Sequence, residues 1–201
     1  MKPKSPSKAL LSAIATADEK DQIGYTRFLC ERLLRDHPDH IPTLVRYASN
    51  LISLAQYDAA EAALNCAQAK VPANRLHLVL AQRGHLLNAK GDFLNAERLY
   101  LEAHHLDPSD AAYLIYAGGA AFKRGDIDDA QKLASRATDC SKGCAEEAWF
   151  NLGGYLLSDK RYHDAADCYR KALEIDPEYE IARQRLEDVE LIIADEDSTQ
   201  R

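Results

Sequence analysis

The sequence predicts an all-α protein built from five helix–turn–helix units and a final capping helix. Hydrophobic residues make up 46% of its 201 residues and charged residues 28%, which is typical of a globular chain. Only 7 prolines and 9 glycines interrupt stretches rich in good helix formers. Four prolines set a period: Pro38, Pro72, Pro108 and Pro177 are separated by 34, 36 and 69 residues, and the last interval holds two units.

Residues of similar size recur at fixed places in the five units. An alanine column, with threonine in the first unit, is followed four residues later by an apolar column and seven residues later by a second column of mostly alanine. Small residues let helices approach closely, and stacking buries a face that one helix pair alone leaves exposed. The three columns are Thr26, Ala60, Ala96, Ala130 and Ala165; Cys30, Leu64, Tyr100, Ala134 and Tyr169; and Leu33, Ala67, Ala103, Ala137 and Ala172.

This pattern resembles the tetratricopeptide repeat (TPR), whose signature is W-x2-L-G-x2-Y, then A-x3-F, then P. The resemblance covers residues 7–177 and implies a right-handed α-solenoid. It departs from the signature at Ile14 and Thr26 in the first unit, and at Lys142-Gly143, where the fourth unit lacks its proline. The fifth unit matches best, through Trp149, Leu152, Gly153, Ala165, Tyr169, Ala172 and Pro177.

The repeat register also predicts the boundaries of the segments. The last unit of such an array exposes an apolar face, so we expect a helix with a polar outer side to cap it. We expect a flexible N-terminus at 1–6, units at 7–40, 41–74, 75–110, 111–145 and 146–179, the capping helix at 178–194, and a disordered acidic tail at 195–201.

Charge is concentrated at one end of the chain. Of the net charge of −7, all is contributed by the segment from Glu174 to Arg201, which holds ten acids and three bases. The remaining residues are neutral in sum and offer no clustered basic surface, so we expect no nucleic-acid partner. No apolar run approaches the roughly 20 residues that span a membrane. No nucleotide-binding, metalloprotease or nucleophile motif occurs, which predicts a protein that is not an enzyme and needs no cofactor.

Five cysteines at irregular spacing do not form a disulfide framework, and they favour a reducing compartment, which predicts a cytoplasmic protein. The pair Cys140 and Cys144 leaves a redox or metal-binding role open, although zinc usually takes four ligands and no histidine follows at ligand spacing. We expect Cys30, Cys66 and Cys168 to be small core residues.

The N-terminal segment has two interpretations. Three lysines precede a short apolar run that ends in Ala15-Thr16-Ala17, which resembles a signal-peptide cleavage site. The alternative, which we favour, is an amphipathic helix that belongs to the first unit. Its apolar stripe consists of Leu10, Ala13, Ile14 and Ala17.

Arrays that resemble this one hold ligands in a concave groove lined by the first helix of each unit. The family's groove pattern implies a polar lining early in the chain and an aromatic lining with glycines later. It does not reproduce the Lys and Asn arrangement with which some family members clamp acidic peptide termini. The implied groove residues are Arg46, Gln82, His85, Asn88, Ile115, Tyr116, Gly119, Phe122, Phe150, Asn151, Gly154 and Leu157.

Two glycine doublets, Gly118-Gly119 and Gly153-Gly154, fall in this lining. The first glycine of each doublet matches the family's packing residue. The second lies on the groove side, where it either leaves room for a ligand chain or serves tight packing.

The resemblance implies a scaffold or adaptor that binds a protein or peptide segment in the groove. The alternative is an accessory subunit of a larger enzyme or of a secretion or assembly complex, which docks through its convex face or its C-terminal helix. Leu191 and Ile192 extend the apolar surface of that helix, so a weak homodimer is a further interpretation.

Overall fold

The computed structural model describes residues 5–199, and expectations for residues 1–4, 200 and 201 lie outside the described residues. The described part is all-α and contains eleven α-helices and one short 3-10 helix, Ala73–Arg75. The helices are α1 (Lys8–Glu19), α2 (Ile23–Asp36), α3 (Ile41–Ser53), α4 (Tyr57–Gln68), α5 (Leu76–Ala89), α6 (Phe93–Leu106), α7 (Ala111–Lys123), α8 (Ile127–Thr138), α9 (Ala145–Ser158), α10 (Tyr162–Ile175) and α11 (Glu180–Thr199).

The first ten helices follow one another in pairs, and each pair falls within one 34–36-residue unit of the sequence. The turn inside every pair contains one residue with a positive φ, a conformation that favours glycine because it has no Cβ. Glycine occupies this position in two turns, and other residues occupy it in three. The five residues are Asp21 (φ 51°), Ala55 (55°), Gly91 (83°), Gly125 (88°) and Lys160 (59°).

The repeated columns form the contacts within and between the helix pairs. Every member of the two alanine-rich columns and of the apolar column between them is at most 1% exposed. Tyr100 and Tyr169 are the largest of these buried side chains. Because the columns lie at i, i+4 and i+7 on the second helix of each unit, they form a continuous buried stripe along each of these helices.

Two compact units make up the chain, and the first contains α1–α5 and ends at Asp92. Its core has two apolar clusters. One is centred on Ile14, Leu29 and Leu33, in α1 and α2. The other joins α3, α4 and α5 through residues such as Leu51 and Leu64. The helix α1 therefore buries Ile14 and Ala17, two members of the amphipathic stripe in the sequence.

The second compact unit begins at Phe93 and contains α6–α11. Its last helix, α11, packs against α10 and buries Ala182 and Val189 completely. A nearly buried carboxylate, Glu97 on α6, accepts a hydrogen bond from the Arg124 guanidinium at 2.9 Å. Arg124 follows α7, so this ion pair ties the end of α7 to α6.

The fourth repeat junction, which lacks proline, is held by backbone hydrogen bonds instead. The Lys142 amide donates to the Ser109 carbonyl at 2.9 Å, and the Ala111 amide donates to the Lys142 carbonyl at 3.0 Å. Gly143 follows with a φ of +94°, and a Cβ there would lie 2.9 Å from the Asp110 carboxylate. The segment before α9 is therefore pinned to the start of α7, which it could not approach with another residue at 143.

Two expectations from the sequence are wrong. The helix α11 continues through Thr199, so the part of the acidic tail from Asp195 to Thr199 is helical, not disordered. No proline or glycine interrupts that segment, so the helix has no residue that would end it at 194. Cys66 is exposed, because it precedes the buried Ala67 by one residue and therefore points about 100° away from the buried stripe of α4.

Candidate functional site

In the first compact unit, the predicted groove residues are polar, and some of their polar groups have partners within the chain. Arg46 on α3 forms an ion pair and hydrogen bond with the Asp18 carboxylate of α1. Gln82, His85 and Asn88 follow one another at intervals of three residues on α5 and are half-buried. The amide oxygen of Gln82 is buried and has no hydrogen-bond partner among the described residues.

In the second compact unit, the predicted residues lie on two helices that contact each other, α7 and α9. Ile115 is only 6% exposed and belongs to the core, so its assignment to the groove is wrong. Its side chain points to the buried side of α7, one residue away from the exposed Tyr116. The remaining seven are half-buried or exposed, and we call them the aromatic face: Tyr116, Gly119, Phe122, Phe150, Asn151, Gly154 and Leu157.

Pairs of rings build the aromatic face. Tyr116 and Phe122 are 37% and 39% exposed, and each rests on a buried tyrosine. The ring centroids of Tyr116 and Tyr100 are 5.5 Å apart, and those of Phe122 and Tyr155 are 5.0 Å apart. These are tilted contacts within the favourable range for aromatic pairs. The inner edges of the exposed rings are thus fixed by the core while their outer surfaces remain open.

Phe150 lies between two further tyrosine rings. Its centroid is 5.7 Å from that of Tyr169 and 5.3 Å from that of Tyr179, which immediately precedes α11. Tyr179 is not among the predicted groove residues. Its position between repeats hides it from a pattern that reads only the first helices.

The two glycines of each doublet have different surroundings. A Cβ at Gly153 would lie 2.7 Å from Cε1 of the buried Tyr169 ring, so no other residue fits there without displacing the ring. A Cβ at Gly154 or Gly119 would meet only a tyrosine hydroxyl at 3.9 Å, which is ordinary contact. At Gly118 the nearest atom would be the Ala130 carbonyl oxygen at 3.4 Å, so packing does not require glycine there.

The hydroxyls beside Gly119 and Gly154 belong to Tyr155 and Tyr169. These side chains are 7% and 1% exposed, and burial raises the pKa of each to about 12. Within the described residues, no hydrogen bond acts on either hydroxyl. Neither oxygen is among the buried polar atoms that lack a partner, so both hydroxyls reach the surface of the face. The floor of the aromatic face therefore presents two polar groups beside bare backbone.

One carboxylate borders the aromatic face. Glu147 lies on the first turn of α9, three residues before Phe150, and is half-buried. Burial, with a smaller effect from Glu146, raises the pKa of the Glu147 carboxyl. Its charge in turn helps to raise the pKa of Tyr116, Tyr155 and Tyr179, after the larger effect of their own burial. Among the described residues it has no ion-pair or hydrogen-bond partner.

The cysteines give no support for redox or metal chemistry in the described part of the chain. All five are free thiols there, and burial raises the pKa of both Cys140 and Cys144. A raised pKa keeps a thiol protonated and less reactive. No group of three or more histidine, cysteine, aspartate or glutamate side chains between residues 5 and 199 could hold a metal ion. Over the same residues, no helix is long and apolar enough to cross a membrane.

Sequence reasoning missed the side chains that complete the site. The repeat columns predict Tyr169 as a core residue, and no pattern in the sequence singles out Tyr155 or Glu147. One signal was available for Glu147, since it precedes Phe150 by three residues and so shares its side of α9.

Known proteins resemble this chain as follows. The tetratricopeptide repeat family matches residues 82–145 and, separately, residues 146–179. Tetratricopeptide repeat protein 7A of Homo sapiens is 35% identical over 101 residues, which are 50% of this chain and 12% of that protein. The chain thus spans about an eighth of the length of this relative.

Two solved structures share the fold. A thermophilic TPR protein of Thermus thermophilus superposes with a TM-score of 0.71 at 20% identity, over 92% of this chain and 98% of that one. The first TPR of Spaghetti (RPAP3), solved bound to the HSP90 peptide SRMEEVD, superposes with a TM-score of 0.55 at 19% identity, over 62% and 97% of the two chains.

Proposed function

Because the chain belongs to the tetratricopeptide-repeat family, we propose that it is a binding scaffold whose aromatic face holds a segment of a partner protein. Members of this family generally mediate contacts between proteins. The proposal places the binding site on α7 and α9, where Tyr116 and Phe122 remain more than a third exposed on a rigid base. Aromatic anchors of this kind supply much of the binding energy at protein interfaces. The five free thiols fit a reducing, cytoplasmic setting.

The observation that carries this proposal is the pair of glycines on the face. A glycine inside a helix costs roughly 1 kcal/mol relative to alanine. Packing does not explain Gly119 or Gly154, because a Cβ at either position meets nothing closer than 3.9 Å. Both glycines leave helix backbone open between aromatic rings. Room for a ligand chain that lies close to the helices accounts for this cost.

The peptide in the Spaghetti structure, SRMEEVD, contains three acidic residues among seven. An acidic peptide of this kind does not fit the aromatic face of this chain. Its aromatic face has no lysine or arginine among its members, and an unpaired carboxylate, Glu147, borders it.

The test is affinity capture from a lysate of the source cells, compared between variants and read by mass spectrometry. The double variant Tyr116→Glu/Asn151→Ala changes the centre of the aromatic face. Leu94→Ser is the matched control, because Leu94 is 61% exposed but lies on α6, outside the face. A protein retained by the wild type and by the control but lost from the double variant supports the proposal, provided that circular dichroism shows equal folding.

The second candidate is docking through α11, as expected for an accessory subunit or a homodimer. One observation favours it: Ile181, Leu191 and Ile192 on α11 are 56%, 71% and 37% exposed. The variant Leu191→Ser/Ile192→Ser removes this surface without touching the aromatic face. A partner kept by Tyr116→Glu/Asn151→Ala but lost from this variant would assign binding to α11 and reject the first candidate.

A further inference from the structure

We propose that the partner segment is basic and extended: a lysine or arginine side chain enters between Tyr116, Phe150 and Tyr179 and pairs with Glu147. This inference rests on the proposed function, because it names the chemistry of the ligand that the aromatic face takes.

The rings and the carboxylate stand around one place on the surface. Phe150 lies one helical turn after Glu147 on α9, and its ring centroid is 5.3 Å from that of Tyr179. Tyr116 approaches from α7 and is 37% exposed. Aromatic rings attract a cation within about 6 Å of their centroids, and a carboxylate adds a charge-assisted hydrogen bond. The arrangement therefore suits the amphipathic side chains of lysine and arginine, which have an apolar stem and a charged end.

The charges that act on this place are negative. Glu147 and Asp110 act on the Tyr116 hydroxyl, and Glu147, Glu146 and Asp176 act on that of Tyr179. The Cys144 thiol has a further, smaller effect on both. No cation is among the groups that shift either tyrosine. A cation near the face, Arg185 of α11, acts on Tyr169 and is paired with Asp188 at 3.7 Å.

A half-buried carboxylate without a partner is unfavourable, because burial removes water that it would otherwise bind. The described part of the chain supplies no cation to Glu147. A basic side chain of a partner would supply one, and its charge-assisted hydrogen bond to Glu147 replaces part of the water that both charges give up.

The floor of the face indicates the conformation of the ligand. Tyr155 and Tyr169 point their unpartnered hydroxyls beside Gly119 and Gly154, on neighbouring helices α7 and α9. Packed helices are about 8–10 Å apart. An extended chain covers this distance in about three residues, at 3.3–3.6 Å each. Backbone groups three residues apart can therefore bond both hydroxyls, and an extended chain has its backbone groups free for these bonds.

The experiment uses an immobilised library of nonapeptides with random flanks and a fixed central residue, either Lys, Arg, Glu, Asp or Leu. The labelled full-length chain is applied, and retention on each pool is measured. We expect the wild type to be retained about tenfold better on the Lys and Arg pools than on the Glu and Asp pools. Glu147→Gln should abolish this preference, and Glu147→Lys should reverse it. Glu102→Gln makes the same charge change on α6, where the carboxylate is exposed and acts on neither Tyr116 nor Tyr179, and it should keep the preference.

A further variant, Gly154→Leu, separates failure of this inference from failure of the proposed function. In one outcome, Gly154→Leu abolishes retention, but the wild type shows no preference for the basic pools or Glu147→Gln leaves the preference unchanged. This outcome overturns the inference and leaves the proposed binding face in place. Retention that Gly154→Leu does not change moves binding off the face and overturns both. If the wild type is retained on no pool, the inference is also wrong, and the capture experiment alone decides the proposed function.

Discussion

The two compact units use the same repeat to present different chemistry on their first helices. In the unit of α1–α5, Arg46 is paired with Asp18, and the other predicted groove residues are polar. In the unit of α6–α11, the corresponding positions are aromatic or glycine, and the neighbouring Glu147 has no partner among the described residues. The charged groove residue of the first unit, Arg46, has a partner within the chain, and the carboxylate beside the aromatic face, Glu147, has none among the described residues.

The difference bears on which part of a repeat array is able to bind a ligand. A charge that is already paired inside the chain must lose that pair before it can bind a ligand. The Glu147 carboxylate and the hydroxyls of Tyr155 and Tyr169 have no such pair within the described residues to break. Repeat signatures do not distinguish the two situations, since they describe the packing positions that both units share.

The largest effect that tests this comparison concerns the glycine doublet of α9. We expect Gly153→Ala to lower the free energy of unfolding by about 2–3 kcal/mol, because its Cβ would lie 2.7 Å from the buried Tyr169 ring. Gly154→Ala should instead raise it by up to about 1 kcal/mol, the helix propensity of alanine over glycine. Urea unfolding followed by circular dichroism measures both values.

The control for this prediction is Gly118→Ala, which makes the same change in α7 without a clash and should not be destabilising. If Gly154→Ala were as destabilising as Gly153→Ala, the second glycine would be a packing residue. Its role as open backbone for a ligand would then be withdrawn.

The unit of α1–α5 contains a buried threonine at a position where the other repeats have alanine. Thr26 fills the alanine column, is 0% exposed, and its hydroxyl has no hydrogen-bond partner among the described residues. Thr26→Val keeps the shape and removes the unpaired hydroxyl, so it should raise the free energy of unfolding by about 1–2 kcal/mol. Chemical denaturation of the purified variant measures the change.

Thr43 is the matched control in the same unit. It is 3% exposed, but its hydroxyl lies 2.7 Å from Nδ1 of His40 and is hydrogen-bonded to it. Thr43→Val should therefore be destabilising, by about 1 kcal/mol. Equal effects of the two substitutions would mean that the Thr26 hydroxyl finds a partner, such as a buried water.

The sequence predicted the packing positions of both units well. The period of the prolines and the three columns identify residues that are at most 1% exposed, because burial on a helix follows directly from periodicity. It was less informative about faces beside the stripe. Neighbouring residues differ by 100° around a helix, so Ile115 was assigned to the groove although only Tyr116 reaches the surface.

The other omissions depend on contacts between helices. Gly118 and Gly153 occupy the same column, yet only Gly153 faces a tyrosine ring at 2.7 Å. Whether Glu147 has a partner depends on which cations the fold brings near it, and spacing along one helix cannot give this. The direction of the Tyr155 and Tyr169 hydroxyls likewise follows from rotamers that only the packed structure defines.

A smaller effect is expected at the turns inside the helix pairs, where the two units can be compared directly. Ala55 in one unit and Lys160 in the other have φ values of 55° and 59°. Ala55→Gly and Lys160→Gly should each raise the free energy of unfolding by about 0.5–1 kcal/mol, the cost of a left-handed residue less the entropy of glycine in the unfolded chain. Gly125→Ala should do the opposite, since its Cβ meets no atom within 4 Å and only φ opposes it. Thermal unfolding ranks the three.

The smallest effect is expected when the charge of Glu147, which has no partner in the chain, is removed. The folded-state pKa of Glu147 is raised above its ordinary value of 4.5, chiefly by burial and then by Glu146. The folded state therefore favours the protonated carboxyl, and this contribution to stability is present below pH 4.5 and lost as the pH rises through the folded-state pKa. Glu147→Gln, which carries no charge at any pH, should be more stable than the wild type at pH 7 and no different in acid.

Asp18→Asn provides the counterpart in the other unit. It breaks the exposed ion pair with Arg46, and such pairs contribute roughly 0–1 kcal/mol, so the variant should be equally stable or slightly less stable than the wild type at pH 7. The opposite signs of the two substitutions, measured by urea unfolding at pH 7, follow from one charge having a partner in the chain and the other having none. A loss of stability in Glu147→Gln at pH 7 would mean that the carboxylate is already satisfied within the protein, and the reason to seek its partner in a basic ligand would disappear.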